Sequence, residues 1–461
     1  MFGKKKSEGF KIIIVGCGKV GTTLVSQLTR EGHDITIIDK DQSIVNDVTG
    51  TYDVMGVAGN GASFTVLQDA GISDADLLIA VTDSDELNLL CCTLAKQFGN
   101  LSAIARVRTP DYSKETNYLR QKLGLAMIIN PELEAALEAS AILALPNALE
   151  VNSFAHGQAT LVKFRLPEDN DLVGRTIASI GSSLKSNITF CAIERKGEVY
   201  IPSGAFTLEA DDVISYVSNR RNASNFLTEI GYKSNKVKDA MIIGGGKGAY
   251  YLAEQLISMG IKVKIIETDK ARCEELSLLL PKAIIINGDG IDQELLKAEG
   301  IQSAESFIPL TGIDEVNVLL TLHAKNVSDA KVITKINKIN YNEVLDKLDL
   351  GSVIYPKFIT SEAIVAYVRA RQNSGKSSNI ETLYHMFDSR IEAIEFKVDA
   401  ASAVTGVPLK DLKRKDDVLV AFINRKGRII IPKGTDSIEK GDTVMIVTKN
   451  TGFTDIQDIL A

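Results

Sequence analysis

Residues 14–39 laid over residues 242–267 share ten identities: Ile14, Gly16, Gly18, Lys19, Leu24, Gln27, Leu28, Gly32, Ile37 and Ile38. Average composition would give ~1–2, so the second half of the chain copies the first. With one residue inserted the match continues. Gly59-Asn60-Gly61 falls on Gly288-Asp289-Gly290, Gly71-Ile72 on Gly300-Ile301, and Thr82, Asp85, Glu86 and Asn88 on Thr311, Asp314, Glu315 and Asn317. A later stretch recurs too: Ile193-x-x-Lys196-Gly197 and Ile201-Pro202-x-Gly204 line up with Ile423-x-x-Lys426-Gly427 and Ile431-Pro432-x-Gly434. Each half therefore has two parts, and 461 residues are too many for one core.

The first part of each half alternates strand and helix. Apolar Lys11 to Val15 meets a glycine turn and an amphipathic run to Glu31, followed by Ile35 to Ile38, Val54 to Val57, Leu77 to Val81, Ala103 to Val107 and Ala126 to Ile129. Near-continuous apolar strands between helices predict a parallel sheet covered on both faces, a doubly wound α/β domain. The second parts carry short β-branched runs such as Val199-Tyr200-Ile201 and Val444 to Val447, broken by Lys-Gly and Pro-x-Gly turns, and predict small α+β lobes. The expected organisation is a tandem duplication: doubly wound domains over 10–132 and 238–358, lobes over 150–233 and 385–461. Linkers are expected at Ser234-Asn235-Lys236 and at the polar stretch Gln372 to Asn379.

Gly16-Cys17-Gly18-Lys19-Val20-Gly21 follows a strand and opens a helix, and Asp39 ends the next strand 18 residues after the third glycine. One glycine permits the tight turn, one lets a pyrophosphate approach the backbone, and one lets helix pack on strand. The helix N-terminus supplies amide donors and the positive dipole end, and the carboxylate holds ribose hydroxyls. An acidic residue at Asp39 argues against NADP, whose 2′-phosphate it would repel. The second copy reads Gly244-Gly245-Gly246-Lys247-Gly248-Ala249, with Glu267 in place of Asp39. Arg106 becomes Lys335 and Thr82-Asp83 becomes Thr311-Gly312. Arginine's fork grips phosphate bidentately where lysine offers a point charge, so the second site's ligand and occupancy stay open.

The net charge of −7 gives no whole-protein footprint for nucleic acid. Five scattered cysteines, Cys17, Cys91, Cys92, Cys191 and Cys273, form no C-x-x-C pair and read as reduced thiols, with Cys91-Cys92 as buried small hydrophobes. No apolar run reaches the ~18 residues of a membrane span. The basic start Met1 to Lys6 lacks a following apolar segment, so it reads as a solvated tail and not a signal peptide. His33, His156, His323 and His385 form no recognisable constellation; His33 reads as a surface residue and His156 as a structural one. Neither G-x-S-x-G nor H-E-x-x-H occurs, no paired metal ligands stand out, and Lys410, Lys413, Arg414 and Lys415, interleaved with aspartates, read as a solvated helix face.

The combination of Gly16-x-Gly18-x-x-Gly21 with Asp39, Gly59-Asn60-Gly61-Ala62, Val81-Thr82-Asp83-Ser84-Asp85-Glu86-x-Asn88, Ala105-Arg106-Val107-Arg108 and Ile201-Pro202-x-Gly204, duplicated, resembles the TrkA-type cytosolic regulators of Trk potassium uptake systems over nearly the whole chain. The resemblance implies two RCK (KTN) modules per chain and a homotetrameric ring on the inner face of the cell membrane. There the ring would gate an integral-membrane potassium channel subunit of the Trk type, with no nucleic-acid partner and no catalysis. It implies a first NAD/NADH site at Gly16 to Gly21, Asp39, Asn60, Thr82, Asp83 and Arg106. A second, for NAD(H) or ATP/ADP, would use Gly244, Gly245, Gly246, Lys247, Gly248, Glu267, Thr311, Gly312 and Lys335. The rival readings are an NAD-dependent oxidoreductase, which the fold alone would equally allow, and a regulator of a different cation transporter or antiporter.

Overall fold

The computed structural model describes residues 9–99, 101–145, 147–232, 237–337, 345, 347–372, 380–387 and 389–461. The basic start and both expected linkers, apart from Gln372, lie outside these residues.

Strands β1 (Lys11–Val15), β2 (Asp34–Asp39), β3 (Met55–Ala58), β4 (Leu77–Ala80), β5 (Ser102–Arg106) and β6 (Met127–Ile129) pair in the order β3-β2-β1-β4-β5-β6, all parallel. Helices α1 (Lys19–Arg30), α2 (Gln42–Thr51), α3 (Phe64–Asp69), α4 (Asp85–Ala95), α5 (Pro110–Ser113) and α6 (Thr116–Lys122) connect them, and α7 (Pro131–Ala144) leads out of the domain. All four residues of β4 are buried, as a strand covered on both faces requires. The first lobe is an antiparallel sheet of β7 (Glu150–Phe154), β8 (Ala159–Arg165), β9 (Ile188–Arg195), β10 (Glu198–Tyr200) and β11 (Val213–Asn219), in the order β10-β9-β11-β8-β7, with helices α8 (Ile177–Ser183) and α9 (Arg220–Glu229).

The second half repeats the plan. Its parallel sheet has β12 (Asp239–Ile243), β13 (Lys262–Glu267), β14 (Ile284–Asn287), β15 (Ser306–Pro309), β16 (Lys331–Lys335) and β17 (Ser352–Ile354) in the order β14-β13-β12-β15-β16-β17. Its helices are α10 (Lys247–Ser258), α11 (Lys270–Leu279), α12 (Gln293–Ala298), α13 (Asp314–Val327) and the exit helix α14 (Pro356–Gln372). The second lobe pairs β18 (Ile380–Met386), β19 (Ile391–Lys397), β20 (Val418–Arg425), β21 (Arg428–Ile430) and β22 (Thr443–Thr448) as β18-β19-β22-β20-β21, its first strand starting ahead of residue 385. The basic cluster at 410–415 is not on a helix: it lies in a turn-rich segment, where Lys410, Lys413 and Lys415 are exposed.

The halves are joined crosswise. The exit helix of each half packs on the glycine-turn helix of the other, α7 on α10 and α14 on α1, and the two exit helices touch. One core accordingly combines Ala136, Ala139 and Leu143 of α7 with Leu252 and Leu256 of α10 and with Phe164 and Phe226 of the first lobe. Another combines Leu24 and Leu28 of α1 with Ile364, Val365 and Val368 of α14 and with Ile394 and Ile446 of the second lobe. Each leucine, isoleucine or valine among them contributes ~1.5–3 kcal/mol on full burial, so the crossing is held by apolar packing. The lobes meet through Phe154, Cys191, Ala393 and Phe422. Among the described residues no helix is long and apolar enough to cross a membrane.

In the first lobe Tyr216 stands edge-on to Phe226, with centroids 4.6 Å apart, and its hydroxyl donates to the Ala223 carbonyl at 2.7 Å. Tyr216→Phe keeps the ring packing and removes that bond, so chemical denaturation should show a loss of about 1 kcal/mol. A loss above 3 kcal/mol would mean that the ring itself had moved.

Candidate functional site

The first glycine turn runs from β1 into α1. Gly16 holds φ +95°, a left-handed conformation that glycine adopts without strain, and a Cβ on Gly21 would come within 1.9 Å of the Gly16 carbonyl oxygen. The helix therefore starts close enough to the sheet to aim its first amides at the space beyond β1. Asp39 ends β2 beside the turn: its carboxylate accepts from the Cys17 amide at 2.7 Å and from the Asp41 amide at 3.1 Å. Burial pushes the Cys17 thiol up to about 12, with the Asp39 charge adding to the effect, so Cys17 serves as a protonated packing group.

The far wall is built by Asn88, wholly buried on α4. Its side-chain oxygen accepts from the Thr82 amide at 2.8 Å and the Thr82 hydroxyl at 2.7 Å, and its amide donates to the Arg106 carbonyl at 2.9 Å. Arg106 in turn donates to the Thr82 carbonyl and to Asp83 at 3.2 Å. Gly16 to Val20, Asp39, Asn60, Thr82, Asp83 and Arg106 together line one cavity of about 1290 Å³, while Gly21, packed against the Gly16 carbonyl, does not line it. That volume exceeds the ~300–1,000 Å³ typical of small-ligand pockets and suits an extended ligand.

The same cavity is lined from the second half by Gly312, Lys335, Asn337, Pro356 and Lys357. Gly312, expected at the second site, thus faces the first instead, and Lys335 faces the first as well. Lys335 donates to the Leu310 carbonyl at 2.9 Å, and burial pulls its pKa down to about 8. Pro356 and Lys357, at the start of α14, escaped sequence reasoning because only the crossing of the exit helices brings them here. A proline at the first helical position was their one local signal.

At the second turn Glu267 accepts from the Gly245 amide at 2.5 Å, the Asp269 amide at 2.8 Å and the Thr268 hydroxyl at 3.0 Å. Burial raises its pKa, but the Asp269 and Gly245 amides outweigh this and hold the carboxyl below its ordinary range. Thr311 repeats the Thr82 pattern, its amide and hydroxyl both donating to Asn317, at 2.9 and 2.7 Å. Gly244 holds φ +96°. Lys247 reaches into the first half, donating to the Thr109 hydroxyl at 3.0 Å and lying 3.8 Å from Asp85. Gly246, Lys247 and Gly248 line a cavity of about 260 Å³ together with Arg108, Glu132 and Lys335, which also line the first cavity, while Gly244, Gly245, Glu267 and Thr311 line neither.

His33 is not on the surface. It is 5 % exposed, accepts from the Phe10 amide at 3.0 Å and stacks on the Phe10 ring, because the strand start folds over it. His156 is exposed, at φ +52° in a turn, 4.0 Å from Glu381. His385 does belong to a charged cluster, lying 3.4 Å from Glu362 and 3.5 Å from Glu392. Cys91 and Cys92 are buried within α4, as small hydrophobes would be. No group of metal-ligating side chains forms among the described residues.

The TrkA-N domain model matches residues 12–131 and 240–356, and the TrkA-C domain model matches 161–231 and 393–461. The Trk system potassium uptake protein TrkA of Haemophilus influenzae is 31% identical over 440 residues, covering 95% of each chain. The protein of that name from Halomonas elongata is 31% identical over 439 residues, again covering 95% of each. A TrkA homolog of Archaeoglobus fulgidus is 30% identical over 449 residues, 97% of this chain and 99% of that one. Among solved structures, the GsuK channel bound to NAD superposes with a TM-score of 0.63 at 15% identity, covering 96% of this chain and 77% of that one. The GsuK RCK domain gives 0.63 at 15% identity, covering 96% and 93%.

Proposed function

The chain belongs to the TrkA family of Trk potassium uptake proteins, a tandem of TrkA-N and TrkA-C domains, and from that premise we propose that it is a nucleotide-sensing regulatory subunit that gates a Trk-type potassium channel. In this reading it sits in the cytoplasm on the inner face of the membrane, as a homotetrameric ring beneath the channel subunit, and performs no catalysis. NAD or NADH occupies the first site, and NAD(H) or ATP/ADP the second.

The observation that carries this reading is the shared wall of the first cavity. Gly16 to Val20 and Asp39 come from one half, while Lys335, Asn337 and Lys357 come from the other. A dinucleotide in that cavity would lay its pyrophosphate on the first amides of α1 and its ribose on Asp39, and would touch both halves at once. Its affinity then depends on how the halves sit, and by linkage its binding shifts the population of their arrangements by that difference in affinity and no further. Burial pulls the pKa of Lys335 and Lys357 down, with the Lys19 charge across the seam adding to the effect, and this gathering of cations favours an anionic ligand there.

Calorimetric titration with NADH, NAD, ATP and ADP, with absorbance following NADH, tests the proposal. Asp39→Ala should weaken first-site binding by about 1.5–3 kcal/mol, the range for hydrogen bonds to a charged group, or ~10–150-fold. Glu267→Ala should act on the second site alone. Unchanged affinity in Asp39→Ala would remove the ribose assignment, and steady NADH oxidation with a small substrate would replace the sensor by the oxidoreductase reading.

A further inference from the structure

The two turns differ on the helix that follows the strand-end carboxylate. Counting five residues on from the ribose carboxylate, Asp39 leads to Ile44 and Glu267 leads to Arg272. Ile44, on α2, lines the first cavity as a plain apolar surface. Arg272, on α11, is fixed across the second turn: its Nε donates to the Gly245 carbonyl at 2.7 Å and its Nη1 to Glu275 at 2.6 Å. Glu267 holds the amide of the same Gly245. Arg272 and the ribose carboxylate therefore flank one residue, at the opposite end of the turn from Lys247, which points into the first half.

We propose that Arg272 is the base-binding platform of the second site, its guanidinium face stacking on the purine of a nucleotide whose ribose Glu267 holds. The inference rests on the reading of the second turn as a nucleotide site. A guanidinium can grip a phosphate through a pair of adjacent nitrogens or offer its flat face to an aromatic ring. Here Nε and Nη1 are both engaged, so each two-nitrogen edge has lost a donor, while 22 % of the side chain stays exposed. The carboxylates of Glu267 and Glu275 beside it also disfavour a second phosphate. An arginine over a base contributes a cation–π term that an isoleucine cannot supply. The first site would thus hold its base by apolar contact and the second by a charged plane.

The experiment is calorimetry on the full chain in an Asp39→Ala background, which weakens the first site, using ADP, ribose 5-phosphate and NADPH as probes. Arg272→Ile installs the residue that the first half uses, and Arg272→Lys keeps the charge without the plane. ADP binding should weaken about ten-fold in both variants, while ribose 5-phosphate, which has no base, should bind equally with and without the substitutions. ADP affinity unchanged in Arg272→Ile, or fully restored in Arg272→Lys, would overturn the platform. So would a parallel loss for ribose 5-phosphate, or an Arg272-dependent preference for NADPH, each marking a phosphate contact. Absence of any saturable ADP binding with Arg272 intact would overturn the two-site reading itself and the role of Arg272 with it.

Discussion

Arg369→Met is expected to lower the stability of the unit formed by α1, α14 and the second lobe by about 3–5 kcal/mol, the cost of removing one partner from a buried ion pair. Arg369 is 2 % exposed on α14. Its guanidinium donates to Glu31 at the end of α1, at 2.8 Å from Nε, and to both oxygens of Glu392 on β19 at 2.9 and 3.0 Å. His385 lies against the same Glu392. Three elements from different parts of the chain thus meet on one side chain, and its loss leaves the buried Glu392 carboxylate beside Glu31 without its guanidinium partner. Arg369→Lys should recover only part of the loss, since lysine lacks the two-pronged geometry. Equilibrium chemical denaturation reads both values, and an unchanged midpoint in Arg369→Met would show that the cluster adds nothing net.

The same cluster sets a pH window. Burial pushes Glu392 up, but His385 and Arg369 more than reverse this and bring it down to about 2. Its contribution is present above the unfolded glutamate value of ~4.3 and is lost as pH falls toward 2. Burial pushes His385 down, but Glu362 and Glu392 carry it up to about 9. Its contribution is complete below the unfolded histidine value of ~6.5 and is lost as pH rises through 9. The cluster should stabilise the fold most between about pH 5 and 6.5. His385→Gln should remove the alkaline decline and leave the acid one.

Asn88→Leu should cost on the order of 3 kcal/mol, because the Thr82 amide and hydroxyl and the Arg106 carbonyl lose their partner together in a site with no exposure. The shape of the side chain is nearly kept, so the effect is one of hydrogen bonding and not of cavity formation. Thr82, Asp83 and Arg106 form one wall of the first cavity, and loosening them should weaken NADH binding in step with stability. Asn317→Leu, which removes the equivalent support from Thr311 and from the Lys335 carbonyl, should weaken first-site affinity less, because of these two partners Lys335 alone lines that cavity. Equal losses from the two variants would show that the sites are not separately supported.

The alternation of apolar strands with the glycine turns made both doubly wound domains legible, down to strand limits such as Lys11–Val15, because a parallel strand must be apolar on both faces. The position of the strand-end carboxylate was legible for a similar reason: one turn and one strand end suffice to place Asp39 beside Cys17. What stayed hidden is everything that depends on the crossing of the exit helices. Nothing local in Pro356-Lys357 says that the start of α14 will face a turn more than three hundred residues earlier. His33 misled because a polar residue before a strand usually faces water, whereas here it takes the Phe10 amide.

Fusion of the two copies frees them from each other. In a pair of identical chains every substitution is made twice, once on each side of the axis, and an arginine placed beside one glycine turn would appear beside both. In this chain Ile44 stands where the second copy has Arg272, Glu132 begins one crossing helix and Lys357 the other, and Met259 stands where Glu31 meets Arg369. A single codon can therefore alter one copy while its twin keeps its residue, and a duplicated gene becomes two surfaces free to vary independently.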